Sequence, residues 1–129
     1  SAPIMDVIDY GEPVTTKGLN MLYGPGNDLV SATALTAAGA HMVLFSTGRG
    51  TPFGAPAPPL KIATNSQLAA KKKTWIDFNA GVVADGERTL DEAGTDLYRL
   101  VLDVASGKQT CAEKKGFREI SIFKDGVVL

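Results

Sequence analysis

The chain has 129 residues, which is enough for one domain with a hydrophobic core. Its 13 basic and 14 acidic side chains nearly cancel, so the composition indicates neither a nucleic-acid partner nor a membrane-surface partner. The single cysteine, Cys111, excludes an internal disulfide and a cysteine metal cluster. It fits a reducing compartment, so we expect a cytoplasmic protein. No apolar run approaches the roughly 20 residues needed to span a bilayer.

The first 17 residues have a polar, irregular pattern that includes Gly11 and Pro13. We interpret 1–17 as a linker or arm from a missing N-terminal part, and 18–129 as an α/β domain. The start lacks the charged and apolar regions of a signal peptide. It reads as sequence from the middle of a protein, so we expect a fragment of a longer chain.

The domain begins with a predicted strand–helix–strand unit. A strand at 19–23 ends at a Gly-Pro-Gly turn, and Asn27 or Asp28 can cap a helix that runs to about Ala38. An apolar strand follows at 41–46. The pattern predicts two adjacent parallel strands joined by a helix.

The middle of the chain begins with a loop at 47–59 that carries four prolines and three glycines. Long ordered loops of this kind tend to be functional. After it we predict a strand at 60–64, a short helix through the lysines at 71–73, and a strand at 75–79. The lysines suit a helix C-terminus, and an anion site is the alternative.

The last third is predicted to contain one long helix. After a turn at 81–87, Thr89 and Glu92 form a capping box. The apolar stripe predicted to be buried comprises Leu90, Ala93, Leu97, Leu100, Val101 and Val104. Residues 117–123 are predicted to be an edge strand or a docking segment, before a turn at 124–126 and an apolar end. The alternation of strands and helices predicts a small Rossmann-like layered α/β domain with a mostly parallel sheet.

Loop 46–54 is the leading candidate site. It follows an apolar run that reads as a buried strand, and two glycines flank one arginine. Thr47, Gly48, Arg49 and Gly50 can capture a carboxylate or phosphate through hydroxyl, amide and guanidinium donors. The alternative is a tight turn in which Arg49 braces a neighbouring group. The prolines that follow, in place of a helix, remove the context of a dinucleotide fingerprint.

Polar side chains also end the next two predicted strands. Asn65 follows one strand, and Asp77 and Asn79 end another. In a parallel sheet these ends fall on the same edge as the loop, where they would suit a polyhydroxylated acid. Asp77 could act as a base or as an oxygen ligand to a metal. The alternative is helix capping and strand-end hydrogen bonding.

Several motifs together resemble the C-terminal domain of the altronate/galactarate dehydratase family. The resemblance covers most of residues 18–123. The motifs that carry it are GPGND at 24–28, FSTGRGTPFG at 45–54, KIATN at 61–65, IDFNAG at 76–81 and VASGK at 104–108.

The resemblance implies a hydro-lyase that dehydrates a sugar acid, galactarate or altronate, to a 2-keto-3-deoxy acid. It implies a divalent metal, with Fe²⁺ the usual candidate, whose ligands are completed outside this fragment. It also implies missing N-terminal domains of the same chain. Arg49 with the Gly48 and Gly50 amides would then bind the substrate carboxylate, and Thr47, Asn65 and Asn79 its hydroxyls. The catalytic residues and the metal ligands are not identified.

Three alternatives stay open. A sulfolactate-type lyase of the same family would use a different leaving group. A non-catalytic role in homo-oligomerisation is suggested by the apolar tail at 120–129. A nucleotide-binding module is suggested by fold class alone.

Overall fold

The computed structural model of this chain describes residues 2–123. Its strands are β1 (Ile4–Ile8), β2 (Leu19–Leu22), β3 (Val43–Thr47), β4 (Pro59–Ala63) and β5 (Phe78–Asn79). Its helices are α1 (Asp28–Ala37), α2 (Ser66–Lys71), α3 (Gly81–Ala84), α4 (Leu90–Ala105) and α5 (Cys111–Lys114). The strands form a two-stranded sheet, β1-β2, and a three-stranded sheet, β3-β4-β5, and every pairing is parallel. This confirms the predicted α/β class and the parallel pairing.

The three-stranded sheet is built around β4. Four of its five residues are buried because β3 and β5 flank it and loops and helices cover its faces. One core cluster joins Ala32, Val43, Ala55 and Ala57, with Phe45 and Phe53 packed against it. A second cluster joins Ala63, Leu68 and Ile76 under α2. These small clusters fix where the ends of β3 and β4 lie.

Local sequence signals explain the ends of the longer helices. The Asn27 side chain accepts hydrogen bonds from the amides of Leu29 and Val30 and so begins α1. Thr89 and Glu92 form the predicted capping box at the start of α4, which ends at Ala105 with Ser106 as its C-cap. The structure therefore confirms the predicted positions of both helices. No helix in the described part of the chain is long and apolar enough to cross a membrane.

The predicted partner of β2 was wrong. We expected β2 and β3 to be adjacent across α1, but β2 pairs with β1 and belongs to the other sheet. The segment Ile4–Ile8, expected to be irregular, is that partner strand. Its pairing with β2 satisfies backbone groups that a linker would leave to water.

Other elements differ in extent. The predicted strand at 75–79 is reduced to Phe78–Asn79, because the Trp75 and Ile76 amides bond back to Lys72 in a turn. The predicted turn at 81–87 contains the four-residue helix α3. On α4 only Ala93 and Val104 of the predicted stripe are buried, and Leu90 is exposed.

The C-terminal region contains the short helix α5, which was not predicted from the sequence. No strand forms at 117–123 within the described residues, so the edge-strand alternative is wrong there. The predicted turn at 124–126 and the apolar end at 127–129 lie outside the described residues.

Candidate anion-binding site

The carboxyl ends of the three-stranded sheet are aligned. Thr47 is paired with Ala63, and Ala63 is paired with Asn79. The loop after β3, the Asn65 cap after β4 and the end of β5 therefore lie along one edge, as predicted. This edge is where open parallel sheets usually bind ligands.

The turn after β3 is held by its own hydrogen bond. The hydroxyl oxygen of Thr47 accepts from the amide of Gly50 at 2.9 Å. Gly50 has a φ of +77°, a backbone conformation that side-chain-bearing residues rarely adopt. A Cβ at Gly50 would lie 3.1 Å from a methyl carbon of Leu68, so the turn also packs closely on α2. The Gly50 amide is thus engaged within the turn.

Asn65 connects this turn to the helix that follows β4. Its side-chain oxygen accepts from the amide of Leu68 at 2.8 Å and caps α2. Its side-chain nitrogen donates to the carbonyl of Gly48 at 3.1 Å. The capping alternative for Asn65 is therefore realised, and the same side chain fixes the position of the glycine-flanked arginine.

A depression of about 270 Å³ lies beside the turn. Its lining includes three cationic residues and no acidic residue: Gly48, Arg49, Asn65, Gln67, Leu68, Lys71 and Lys72. Arg49 is exposed, and its guanidinium has no hydrogen-bond or ion-pair partner within residues 2–123. The alternative in which Arg49 braces a neighbouring group is therefore not what the described part of the chain shows. The depression suits an anion.

The lysines at 71–73 lie at the C-terminal end of α2, as expected. The ammonium of Lys72 donates to the carbonyl of Arg49 at 2.9 Å and lies 4.4 Å from the centre of the Trp75 ring. These contacts hold Lys72 against the turn. Lys71 is exposed at the rim of the same depression. The position of these lysines at the C-terminal end of α2 is thus compatible with an anion-binding role.

Asn79 lies on the same sheet edge but makes its hydrogen bonds away from the Arg49 turn. Its side-chain nitrogen donates to the hydroxyl of Ser66 at 2.9 Å, and its oxygen accepts from the amide of Gly81 at 3.0 Å. Gly81 lies so close to α2 that a Cβ there would be 2.3 Å from the Ser66 nitrogen. Asn79 therefore joins the starts of α2 and α3, and it is not part of the lining around Arg49.

Asp77 lies farther back, alongside the middle of β4. One carboxylate oxygen accepts from the amide of Lys61 at 2.8 Å, and the other accepts from the amide of Cys111 at 2.7 Å. This is the strand-end hydrogen bonding expected under the alternative interpretation. Asp77 does not line the depression, and its role as a substrate ligand or base stays a prediction.

Lys61 is a residue that sequence reasoning missed. It is 1% exposed, and its ammonium donates to the carbonyl of Thr51 at 2.6 Å and also to that of Phe53. Burial lowers the pKa of Lys61, and the negative charges of Asp77 and Glu119 offset part of that change. Its place between apolar neighbours in a buried strand is the signal that could have identified it.

Between residues 2 and 123, the side chains do not fit a metal site. In the part of the chain that the structure describes, no three His, Cys, Asp or Glu side chains are grouped so that they could hold a metal ion. His41 is exposed before β3, at the opposite end from the depression. The Cys111 thiol has a raised pKa, because burial and the nearby Asp77 carboxylate disfavour the thiolate that would bind a metal.

Comparison with known proteins identifies the family. Residues 1–128 match the family model described as "D-galactarate/Altronate dehydratase, C-terminal". The chain belongs to this family. The match confirms the resemblance carried by the loop and strand-end motifs.

Three relatives are each longer than this chain. The chain is 54% identical to an altronate dehydratase of Escherichia coli over 100% of its own length and 26% of the relative. It is 48% identical to an altronate dehydratase of Bacillus subtilis over 99% of its length and 26% of the relative. It is 38% identical to a galactarate dehydratase (L-threo-forming) of E. coli over 97% of its length and 24% of the relative. The chain thus spans about a quarter of these relatives.

Proposed function

We propose that this chain is the substrate-binding C-terminal domain of a hydro-lyase that removes water from a sugar acid, altronate or galactarate. The product would be a 2-keto-3-deoxy acid. Family membership and the names of the relatives support the reaction class. The observation that carries the proposal is the Arg49 guanidinium, which has no partner among the described residues and lies beside a fixed glycine turn, in a depression with Lys71 and Lys72.

The depression is suited to a substrate carboxylate. A guanidinium can bind both oxygens of a carboxylate through two parallel hydrogen bonds. Lys71 adds positive charge at the rim, and Lys72 adds charge while bonding to the turn. The Thr47 oxygen accepts from Gly50 and so holds the turn beside the depression; Thr47 is not part of the lining, and its proposed contact with a substrate hydroxyl stays a prediction.

The same groups would assist the chemistry. Loss of water β to a carboxylate develops negative charge on the carboxylate oxygens as the α-proton leaves. Donors fixed before the reaction stabilise that charge without reorganising. The Asn65–Gly48 and Thr47–Gly50 hydrogen bonds support this role for Arg49, because they fix the backbone from which its side chain extends into the depression.

The metal is proposed to come with other parts of the enzyme. Residues 2–123 offer no grouped donors for Fe²⁺, so its ligands would lie outside the described residues. In this proposal the domain binds and orients the acid, and other parts of the enzyme hold the metal. The proposed homo-oligomer likewise stays a prediction. In the apolar tail at 120–129 that motivates it, Ile120, Ile122 and Phe123 are exposed, and 124–129 lie outside the described residues.

The test is a dehydration assay on the complete enzyme that carries this domain. Altronate and galactarate are supplied with and without ferrous iron, and formation of the 2-keto acid is followed. We expect Arg49→Ala to lower kcat/KM by roughly 10²-fold or more, as for removal of a donor that stabilises developing charge.

Arg99→Ala is the matched control, since Arg99 is an exposed arginine on α4 outside the depression. It should leave kcat/KM unchanged. Equal activity of the Arg49→Ala and Arg99→Ala enzymes would contradict the assignment of Arg49. Failure of the unaltered enzyme to dehydrate either acid would contradict the proposed reaction.

A further inference from the structure

The β1-β2 sheet has only two strands and leaves apolar side chains exposed. It contains two parallel strands, and neither has another strand neighbour within residues 2–123. Parallel sheets normally occur with both faces buried. A two-stranded pair is marginally stable in water unless something packs against it. The pair therefore requires a covering element.

One face of the pair is apolar and open. Val7 lies opposite Met21 in the register, so the two side chains share a face, and Leu19 joins them because it lies two residues before Met21. These side chains are 73%, 51% and 48% exposed, in the order Val7, Met21 and Leu19. We refer to these three residues as the Val7–Met21 face. Apolar side chains exposed together in this way mark an interaction surface.

The opposite face of the pair is turned towards the rest of the described chain, and Ile8 is buried there. A groove of about 700 Å³ runs between β2 and the end of α1, lined by Leu19 and Met21 on the strand side and by Leu35 and Ala38 on the helix side. One backbone hydrogen bond, from the Val14 amide to the Ala38 carbonyl at 2.8 Å, joins the connection between the strands to α1. The apolar side chains of β2 thus stay exposed along this groove.

We propose that the Val7–Met21 face packs against the part of the dehydratase chain that lies outside this domain. The E. coli altronate dehydratase is 54% identical here, yet this chain spans only 26% of it. Three quarters of such a protein thus remain to supply a covering element, an apolar helix face that packs on Val7, Leu19 and Met21. The inference rests on family membership and is independent of the proposed reaction.

The test compares methionine oxidation in the chain alone and in a complete enzyme. The complete enzyme used here is a chimaera, in which this chain replaces the matching C-terminal part of the E. coli altronate dehydratase. Met21 is oxidised with dilute peroxide and followed by mass spectrometry, with the half-buried Met42 as the internal reference. We expect Met21 to oxidise at least about fivefold more slowly in the complete enzyme, relative to Met42, because packing removes it from solvent.

A lysine substituted into the Val7–Met21 face provides a second experiment. Val7→Lys in the complete enzyme should restore rapid oxidation of Met21. Leu90→Lys should not, although Leu90 is 74% exposed and so matches Val7 in exposure. Equal Met21 oxidation in the chain alone and in the complete enzyme would overturn the proposal. Protection that already occurs in the chain alone and grows with its concentration would overturn it too, in favour of a second copy.

Discussion

Lys61 illustrates, at the scale of a single residue, how a buried charge organises a loop. Its ammonium bonds to the Thr51 and Phe53 carbonyls and lies 5.0 Å from the centre of the Phe53 ring. It therefore fixes the part of the loop that follows the Arg49 turn. A lysine in a buried strand is destabilising unless its donors are satisfied, and in this chain the loop carbonyls satisfy them.

The lowered pKa of Lys61 predicts a pH dependence of stability. Below its ordinary value of 10.5 there is a range in which the folded chain has lost this proton and the unfolded chain retains it. Raising the pH through that range therefore increases the free energy of unfolding. We expect Lys61→Met to remove this contribution, by up to about 1.4 kcal/mol per pH unit for one proton. Urea unfolding at a series of alkaline pH values measures it.

Cys111 must be controlled in that experiment. Its pKa is raised above the ordinary 9.0, so the folded chain keeps a proton that the unfolded chain loses. Rising pH through that range lowers stability, which opposes the effect of Lys61. The comparison is therefore made in a Cys111→Ala background. Identical slopes with Lys61 and with Met at position 61 would show that Lys61 does not contribute.

Gly81 is required for steric reasons, and Gly94 is the matched contrast. A Cβ at Gly81 would lie 2.3 Å from the Ser66 nitrogen and 2.5 Å from the Asn65 carbonyl carbon, so the start of α2 would have to shift. We expect Gly81→Ala to lower the free energy of unfolding by about 1–3 kcal/mol. At Gly94, inside α4, a Cβ would meet nothing within 4 Å. Gly94→Ala should therefore stabilise by about 0.5–1 kcal/mol.

Urea denaturation of the two alanine variants provides the measurement. An unchanged midpoint for Gly81→Ala would show that α2 can move away without cost. In that case Gly81 would not fix the position of the Asn65 cap.

At the scale of elements, local signals predicted what is local. The capping box and apolar spacing identified α4, and the Asn27 cap identified α1. The same kind of signal is present at α5, where Thr110 and Glu113 form a second capping box that did not enter the prediction. Short helices escape detection because four residues show no periodicity.

Pairing between distant segments could not be predicted in the same way. The strand at Ile4–Ile8 is defined by its partner β2, and nothing in its own sequence names that partner. Likewise, the alignment of strand ends placed Arg49 and Asn65 together as expected, but Asp77 was turned towards the amides of β4 and α5. Which way a side chain faces at a strand end depends on tertiary packing.

The bonding of Asp77 predicts that it joins elements. Asp77→Ala would leave the amides of Lys61 and Cys111 without their acceptors, and hydrogen bonds to a charged group contribute about 1.5–3 kcal/mol each. We expect a loss of about 2–4 kcal/mol, with faster hydrogen exchange at both amides. Asp103→Ala is the control. Its carboxylate makes an exposed ion pair with Lys108 at 3.6 Å, so stability should change by less than about 1 kcal/mol.

Hydrogen exchange by NMR distinguishes the two roles considered for Asp77. If Asp77→Ala left stability and amide exchange unchanged, the carboxylate would be free for another function. The prediction that it binds substrate or acts as a base would then gain support.

At the scale of the whole molecule, two exposed surfaces differ in chemical character. The Arg49 depression is polar, cationic and fixed by hydrogen bonds, as expected of a site for a small acid. The Val7–Met21 face is apolar and loosely supported, as expected of an interface with protein. Taken together, the two proposals describe a domain that binds substrate through one surface and attaches to the rest of its enzyme through the other.

The most direct test of the central claim is an NMR titration of this chain with altronate and galactarate. We expect saturable amide shifts in residues 47–50 and 65–72, and their loss in Arg49→Ala but not in Arg99→Ala. The Asp77 and Cys111 amides should not shift. Absence of shifts around Arg49 at millimolar acid, or the same shifts in Arg49→Ala, would contradict the claim that this guanidinium binds the carboxylate.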